Sequence, residues 1–591
     1  MRALLVLLAV LPALLLSRPS FAADWRTPAE ASKFTRTPSY AETRAYFERL
    51  KAAAPTQIAI NEFGVSPEGR ALFNVVIASG GEFTPPAAQA SGKPVLLIQA
   101  CIHPGENEGK DALMALARDW LIEDKQAAER AEVVLVLLPI FSVDGHENVG
   151  PHRINQNGPD ETGWRSTAQN YNLNRDFLKV ESPEMRAWQA HWQAWNPDLL
   201  VDMHNTNGAD YQYHLTYAYE RHESVHEGAR QWQKAAFDTA IPEALKNKGW
   251  LLAPYFDQLV FDDPRRGIAW GASTPRFSSG FGAAANRPTL LLETHMLKDF
   301  KTRTEVNEDY IAALVAHVAA DPAALKTVNQ GADAAAAALA GKPYTLRFKL
   351  GDKVDSTEFL GFQYERVPSE VSGALWTRYS AKPERIQVPL KQTLEPETTV
   401  TLPHGYLIPA SWSAAIKALQ THGVRFVRIQ EAITLNEADT YRFSDVTYAP
   451  QPFEGRVRVA SLNLTPVRES LKFPVGSVLV PLDQPRNPII AHLLEPAGPD
   501  SLVRMGYGDG FMTHPEYAEP RVMERMAREM MAADPKLKAA FEAELERPEF
   551  AADAAARLSF FYRRLPHYDE RHLRYPVARL RAEQLGPLGL N

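Results

Sequence analysis

The sequence predicts an α/β fold, with a mostly parallel or mixed sheet flanked by helices, followed by a β-rich domain and a helical C-terminal segment. Three observations support this prediction. Between residues 28 and 320, short apolar runs alternate with helical patterns, which is typical of a sheet covered on both faces. Residues 344–494 contain short runs rich in Val, Thr and aromatic residues, interrupted by Pro and Gly. After residue 515, amphipathic helical patterns return.

The composition excludes several classes of protein. The chain has 591 residues, more than one hydrophobic core usually organises, so at least two domains are expected. Hydrophobic residues make up 45% and charged residues 23%, which excludes a disordered, collagen-like or coiled-coil chain as a whole. The formal net charge of -7 and the lack of a long Lys/Arg block argue against nucleic acid as a partner. Because Cys101 is the single cysteine, a metal would need His and carboxylate ligands.

Residues 1–22 are predicted to be a secretory signal peptide. A positive start at Arg2 precedes the apolar run 3–16, and small residues follow at 20–23. We expect cleavage after Ala22, an exported protein in the periplasm or outside the cell, and no stable membrane insertion afterwards. An uncleaved membrane anchor is the alternative.

The α/β domain is expected at 23–330, the β-rich domain, of unknown role, at 340–500 and the helical segment at 501–591. An alanine-rich stretch at 321–341 is predicted to lead from the first domain into the next. Predicted buried strands of the first domain lie at 95–99, 133–138, 199–203 and 289–292. Predicted helices lie at 107–121, from 183 onward, and at 411–419, 521–531, 535–545 and 550–564.

His103 and Glu106 lie in a tight turn that follows the predicted strand 95–99. In open α/β sheets the carboxyl ends of strands form the edge where ligands bind. An imidazole and a carboxylate three residues apart can both point at one metal ion, although a pair of this kind is often only a polar loop.

His204 directly follows the predicted strand 199–203, so it belongs to the same edge of the sheet. Asp202 lies two residues earlier, on the same face of the strand, where its carboxylate could orient a ligating imidazole. A hydrogen-bonded histidine at the end of a strand is the alternative for His204.

Glu293 ends the apolar run 289–292, which should be buried on both faces. An ionisable carboxylate in this place is costly unless it is paired or used. Beside a metal ion it could take a proton from water and pass it to a leaving amine. An internal ion pair with an arginine such as Arg287 is the alternative.

Four motifs occur in this order along the chain: His103-Pro104-Gly105-Glu106, Asn174-Arg175, His204 and Glu293. Together they resemble the zinc metallocarboxypeptidases of the M14 family, here of a secreted bacterial type with an extra C-terminal region. The resemblance covers about residues 28–320. It implies an eight-stranded-type sheet, one Zn²⁺ per chain held by His103, Glu106 and His204, and Glu293 as the general base and then the acid.

The resemblance also implies how a peptide is bound. Asn174 and Arg175 would bind its terminal carboxylate, and Arg165 would polarise the scissile carbonyl, with Arg153 as a rival for that role. The tyrosine that closes over substrate in this family has a doubtful counterpart here in Tyr255.

The resemblance also bears on the pocket that would receive the side chain of the substrate's C-terminal residue. In members of this family the segment before the catalytic glutamate lines that pocket. Residues 264–292 contain no acidic residue here, so an enzyme specific for basic C-terminal residues is disfavoured. Residues 277–281 indicate a small or apolar pocket, although Arg276 could instead receive an acidic group.

The sequence thus predicts an exported zinc carboxypeptidase that acts on peptides. Two alternatives stay open. One is a zinc-dependent amidase or deacylase of cell-wall peptides or small amides. The other is a non-catalytic peptide-binding relative, which would keep the fold without the reaction.

Overall fold

The computed structural model describes residues 24–206 and 209–588. The predicted signal peptide and its cleavage point therefore lie outside the described residues. Within them, no single helix combines the length and the apolar composition that a membrane span needs. The consecutive helices Phe300–Ala320 and Pro322–Ala337 meet these criteria only as a pair, and they are bent by 83° where they join.

A mixed eight-stranded sheet forms the centre of the α/β region. The strands of this region, in chain order, are β1 (Ile58–Val65), β2 (Ala71–Ile77), β3 (Val95–Gln99), β4 (Val134–Leu138), β5 (Leu199–Asn205), β6 (Leu215–Ala218), β7 (Leu252–Pro254), β8 (Asp257–Gln258), β9 (Ile268–Ala269) and β10 (Thr289–Thr294). The sheet order is β1-β2-β4-β3-β5-β10-β6-β7, and the central strands β4, β3, β5 and β10 are parallel. The α/β prediction is confirmed.

Helices cover both faces of this sheet. In chain order they are α1 (Pro28–Ala31), α2 (Tyr40–Ala53), α3 (Pro85–Ser91), α4 (Glu108–Leu121), α5 (Ala127–Ala131), α6 (Val143–Glu147), α7 (Pro183–Trp195), α8 (Glu227–Gln233), α9 (Ile241–Lys246), α10 (Ser278–Ala284), α11 (Phe300–Ala320) and α12 (Pro322–Ala337). On one face, α2, α4 and α11 contribute to a single buried cluster with the strands. On the other face, α7 and α10 contribute Trp188 and Phe281 to a second cluster.

The alanine-rich stretch predicted to lead into the next domain forms α12, as its helix-favouring composition explains. The side chain of Asn329 donates to the backbone oxygen of Asp198, 2.9 Å away, at the start of β5. Asp333 pairs with Arg287 at 2.9 Å. This helix therefore packs on the α/β region.

The second half of the chain is β-rich. Its strands are β11 (Pro343–Leu350), β12 (Asp355–Pro368), β13 (Leu375–Lys391), β14 (Leu394–Thr401), β15 (Gly405–Ile408), β16 (Val427–Arg428), β17 (Ile433–Tyr448), β18 (Val459–Phe473), β19 (Val478–Pro481) and β20 (Ala578–Leu580). Six of them form the sheet β16-β19-β15-β20-β17-β18. The long hairpin β12–β13 joins β9 and β8 of the α/β region in a four-stranded sheet, so the two halves share backbone hydrogen bonds.

The remaining helices are α13 (Ser413–Thr421), α14 (Asn487–Leu494), α15 (Asp509–Met512), α16 (Pro520–Ala533), α17 (Pro535–Leu545), α18 (Pro548–Ala551) and α19 (Ala554–Tyr562). The predicted helical C-terminal segment is confirmed, and after its helices β20 returns to the centre of the six-stranded sheet. The second half also packs directly on the α/β sheet. Trp412 and Ile416 lie in the same buried cluster as Trp188 and Phe281.

Candidate active site and metal centre

Three neighbouring parallel strands bring the predicted site residues together. His103 and Glu106 lie between the end of β3 and the start of α4, and His204 lies near the end of β5. Glu293 of β10 is the register partner of His204. Because β3, β5 and β10 run in the same direction, their carboxyl ends meet at one edge of the sheet.

His103, Glu106 and His204 form the one candidate metal-binding group among the described residues. One potential ligand atom from each side chain lies within 4.8 Å of the other two. The two Nδ1 atoms are 3.1 Å apart, and Oε2 of Glu106 lies 2.9 Å from Nδ1 of His204 and 3.3 Å from Nδ1 of His103. Zinc bonds of about 2.0–2.2 Å in tetrahedral geometry require ligand atoms roughly 3.3 Å apart, which agrees with this spacing.

Hydrogen bonds on the far side of each imidazole fix which nitrogen faces the centre. Nε2 of His204 lies 2.9 Å from Oδ2 of Asp202, which can only accept while it is ionised. Nε2 of His103 lies 3.0 Å from Oδ1 of Asn172, and that oxygen also accepts from the backbone N–H of Asn174. Both Nε2 atoms therefore carry hydrogen, and each ring presents Nδ1 to the centre.

Two imidazole nitrogens and a carboxylate oxygen that face one another need a positive charge between them, which a proton or a metal ion can supply. Imidazole nitrogen with a carboxylate oxygen is a donor set that zinc takes. Burial lowers the pKa of His103 to about 4, so this ring is neutral at pH 7 and able to bind a metal. The donor set therefore fits zinc.

Glu106 is held as a carboxylate by several donors. Burial would raise its pKa, but His103, His204 and Arg153 together hold the pKa of this group well below its usual value. The backbone N–H of Asn205 donates to Oε2 over 3.2 Å. Arg153 and Arg165 donate to Oε1 over 3.2 and 3.3 Å.

Glu293 lies beside this centre as a half-buried side chain in the wall of a cavity. Alternation along β10 points Leu291 and Glu293 to the cavity and Leu290 and Leu292 into the opposite core. Burial raises the pKa of Glu293 to about 8; the carboxylates of Glu106 and Asp202 add to this, and His204 opposes it.

Arg287, considered as an internal partner of Glu293, does not pair with it. Its guanidinium binds Asp333 and the backbone oxygen of Pro197, 3.1 Å away. The carboxyl group of Glu293 is therefore not neutralised by this arginine.

Comparison with known proteins agrees with this centre. Residues 43–235 match the model of the Peptidase_M14 family, described as zinc carboxypeptidase. Residues 43–235 are therefore a zinc carboxypeptidase domain of this family. The protein is a zinc-dependent peptidase, as the sequence predicted.

Curated relatives of this carboxypeptidase extend beyond the matched domain. Carboxypeptidase 2 of Trichophyton rubrum is 22% identical over 514 residues, which cover 83% of this chain and 88% of the relative. Carboxypeptidase 2 of Trichophyton equinum is 20% identical over 515 residues, with the same coverage of both chains.

Solved structures align with about half of the carboxypeptidase. A metallo-carboxypeptidase from Burkholderia cenocepacia is 19% identical, with a TM-score of 0.35, and the match covers 48% of this chain and 69% of that one. Carboxypeptidase A from Helicoverpa armigera is 17% identical, with a TM-score of 0.37, and the match covers 51% and 80%.

The cavity of the carboxypeptidase, about 920 Å³ in volume, reaches from the metal centre along the face of the sheet. Asn174, Arg175, Arg165 and Tyr255 lie in its wall. The second half of the chain also contributes to the wall, through Tyr344, Thr345, Leu346, Arg347, Phe348, Arg458, His492 and Pro499. The region of unknown role therefore completes the cavity.

Asn174 and Arg175 lie between the metal centre and α10. Nδ2 of Asn174 is 3.4 Å from Nε2 of His204, and its Oδ1 accepts from the backbone N–H of Ser278 over 3.2 Å. Arg175 stacks on the ring of Phe277, with 4.3 Å between its guanidinium carbon and the ring centre. Among the described residues, no carboxylate lies within 4.0 Å of the Arg175 guanidinium, which leaves its charge available in the cavity.

Arg165 and Arg153 both contact Glu106, but they differ in exposure and in the number of other side chains that hold them. Arg153 is 14% exposed and also binds Gln156 and Asn205, over 3.2 and 2.5 Å. Arg165 is 46% exposed and donates to Glu106 alone among the described side chains. Arg165 can therefore turn toward a bound carbonyl at lower cost than Arg153.

Two residues that shape this site are absent from the sequence prediction, and a third is a doubtful candidate there. Asn172 orients His103, and a signal for it is present, since it lies two residues before Asn174. Glu220 lines the cavity although it lies outside residues 264–292. The doubtful candidate, Tyr255, does line the cavity, and burial with the nearby charge of Glu293 raises its pKa.

Proposed function

We propose that this protein is an exported carboxypeptidase that removes residues from the C-termini of peptides, with zinc held by His103, Glu106 and His204. One observation carries the proposal. The Nδ1 atoms of two oriented imidazoles converge on a carboxylate, beside a cavity whose wall holds Glu293 and Arg175, neither of which has an ion-pair partner among the described residues.

Zinc held by these three side chains would act as a Lewis acid, polarising the scissile carbonyl and lowering the pKa of water. Its positive charge would also favour the ionised form of Glu293. Glu293 then acts as the general base: a carboxylate oxygen takes the proton from the attacking water. The same oxygen passes that proton to the leaving amine as the C–N bond breaks. Arg165 stabilises the negative charge that develops on the carbonyl oxygen.

The substrate's terminal carboxylate binds Arg175 and Asn174. The Arg175 guanidinium has no carboxylate partner in the part of the chain that the structure describes. It suits an anionic ligand, because it can donate two parallel hydrogen bonds. Stacking on Phe277 holds the guanidinium plane in one orientation. A free C-terminus is thereby distinguished from an internal peptide bond.

The proposal that the protein is exported rests on the sequence of residues 1–22 alone. Expression of the full chain with a C-terminal tag should give a mature protein in the periplasm or medium. N-terminal sequencing should start at Ala23. A tagged protein that keeps residues 1–22 and sediments with membranes would contradict this part of the proposal.

The activity itself is tested by incubating the purified protein with a mixed peptide library, with and without a chelator. Mass spectrometry of the products should show loss of single C-terminal residues, abolished by the chelator and restored by Zn²⁺. Release of internal or D-residue amides would favour the amidase. Binding without cleavage would favour the non-catalytic relative.

A further inference from the structure

We propose that Glu454, in the β-rich second half of the chain, is a positioning residue for the zinc-binding and substrate-binding side chains of the first half. This role rests on the proposed carboxypeptidase activity. It gives the β-rich region a part in the reaction, beyond its contribution to the cavity wall.

The segment between α6 and α7 carries side chains of the site but has little regular structure of its own. Residues 148–182 are all described, and the one helix or strand among them is the short 3-10 turn Leu173–Arg175. Arg165, Asn174 and Arg175 lie in this segment and line the cavity. Side chains on a loop keep a precise position only where surrounding contacts hold the loop. Contacts from other parts of the chain therefore matter here.

Asn172 links the zinc-binding and the carboxylate-binding parts of the site. Its Oδ1 accepts from Nε2 of His103 and from the backbone N–H of Asn174, both over 3.0 Å. Its backbone oxygen accepts from the backbone N–H of Arg175, also over 3.0 Å. A displacement of Asn172 would therefore disturb a zinc ligand and both residues that we place at the substrate's terminal carboxylate.

Glu454 holds Asn172 from the second half of the chain. It lies at the tip of the hairpin that joins β17 to β18, and its Oε2 accepts from the backbone N–H of Asn172 over 2.8 Å. Arg456, two residues later, pairs with Glu181 at 2.7 Å, just before α7. The tip of this hairpin thus contacts the loop at two points, one of them at the residue that orients His103.

The backbone at the tip favours residues other than glutamate. Phe453 and Arg456 exchange backbone hydrogen bonds of 2.8 and 3.2 Å, so Glu454 and Gly455 form the two-residue turn between them. Their φ angles are +49° and +80°. Turns of this kind prefer Asn, Asp or Gly, because longer side chains crowd the backbone in the left-handed region. The contact with Asn172 explains a glutamate here, since only the longer side chain reaches that far.

Two substitutions separate the reach of Glu454 from its effect on the turn. Glu454→Asn suits the turn but ends about 1.5 Å short of Asn172, so Tm should stay equal or rise. It should nevertheless raise the Kd for Zn²⁺ and lower kcat/KM for a blocked dipeptide, each about tenfold. Glu454→Gln keeps an acceptor oxygen at the same reach, and both quantities should stay within about threefold of wild type. Glu370→Asn, which removes an exposed acid between β12 and β13, is the control.

Two results would overturn the assignment: wild-type zinc affinity and kinetics in Glu454→Asn, or equal impairment in Glu454→Gln and Glu454→Asn. Competition with a chromophoric chelator measures the Kd for Zn²⁺ without turnover. A Kd that rises in Glu454→Asn and not in Glu454→Gln supports the positioning role even if no peptide is cleaved, in which case only the proposed activity fails. A lower Tm with an unchanged Kd would contradict it, because the contact would then only stabilise the fold.

Discussion

Oδ2 of Asp202 lies 2.9 Å from Nε2 of His204, with both side chains buried in the same strand. The other oxygen of Asp202 accepts from Gln99 over 2.9 Å. Burial alone would lower the pKa of His204, but Asp202 and Glu106 hold it well above its usual value. Asp202 thus orients the ring and increases its electron donation to a metal.

Asp202→Asn should therefore weaken zinc binding. The amide oxygen can still accept from His204, so the ring keeps its orientation while the charge is lost. We expect the Kd for Zn²⁺ to rise about 10- to 100-fold, measured by competition with a chromophoric chelator. An unchanged Kd would mean that the charge of Asp202 does not contribute to zinc binding. Asp257→Asn controls for loss of a more distant negative charge.

Glu293→Gln should separate catalysis from metal binding. Glu293 has no hydrogen bond to His103, Glu106 or His204 among the described contacts, so its variant should keep one zinc per chain by metal analysis. Since the amide cannot accept the proton from water, kcat should fall at least about a hundredfold. Near-normal turnover of a blocked dipeptide would rule out this glutamate as the base.

The two arginines at Glu106 should respond differently to substitution. Arg165→Ala should lower kcat about 100- to 1,000-fold with zinc content unchanged, because it removes a donor to the developing oxyanion. Arg153→Gln should mainly weaken zinc binding, because Arg153 supports the carboxylate of Glu106 and the side chain of Asn205. The reverse pattern would indicate that Arg153, and not Arg165, polarises the scissile carbonyl.

Metal removal should destabilise the folded protein. Ligands that bind only the native state stabilise it by mass action, and the unfolded chain does not bring Nδ1 of His103 and of His204 to within 3.1 Å of each other. Adding Zn²⁺ to chelator-treated protein should raise Tm by a few degrees. His204→Ala should show no such rise, whereas a rise equal to that of wild type would place the metal elsewhere.

The part of the site that the sequence could predict depends on local patterns. Each of His103, His204 and Glu293 directly follows or ends an apolar run, and parallel strands align their carboxyl ends. The predicted strand at 199–203 is β5 (Leu199–Asn205) and that at 289–292 is β10 (Thr289–Thr294). The local sequence pattern is sufficient to predict these two strands, because strands buried on both faces appear as continuous apolar runs.

What could not be predicted depends on contacts between distant segments. Glu220 follows β6, which runs antiparallel to β10. Ligands are expected at the carboxyl ends of parallel strands, so there was no reason in the sequence to place Glu220 at the cavity. Phe348 and His492 reach the cavity only because the second half of the chain packs on the sheet. Such packing leaves no periodic signal near either residue.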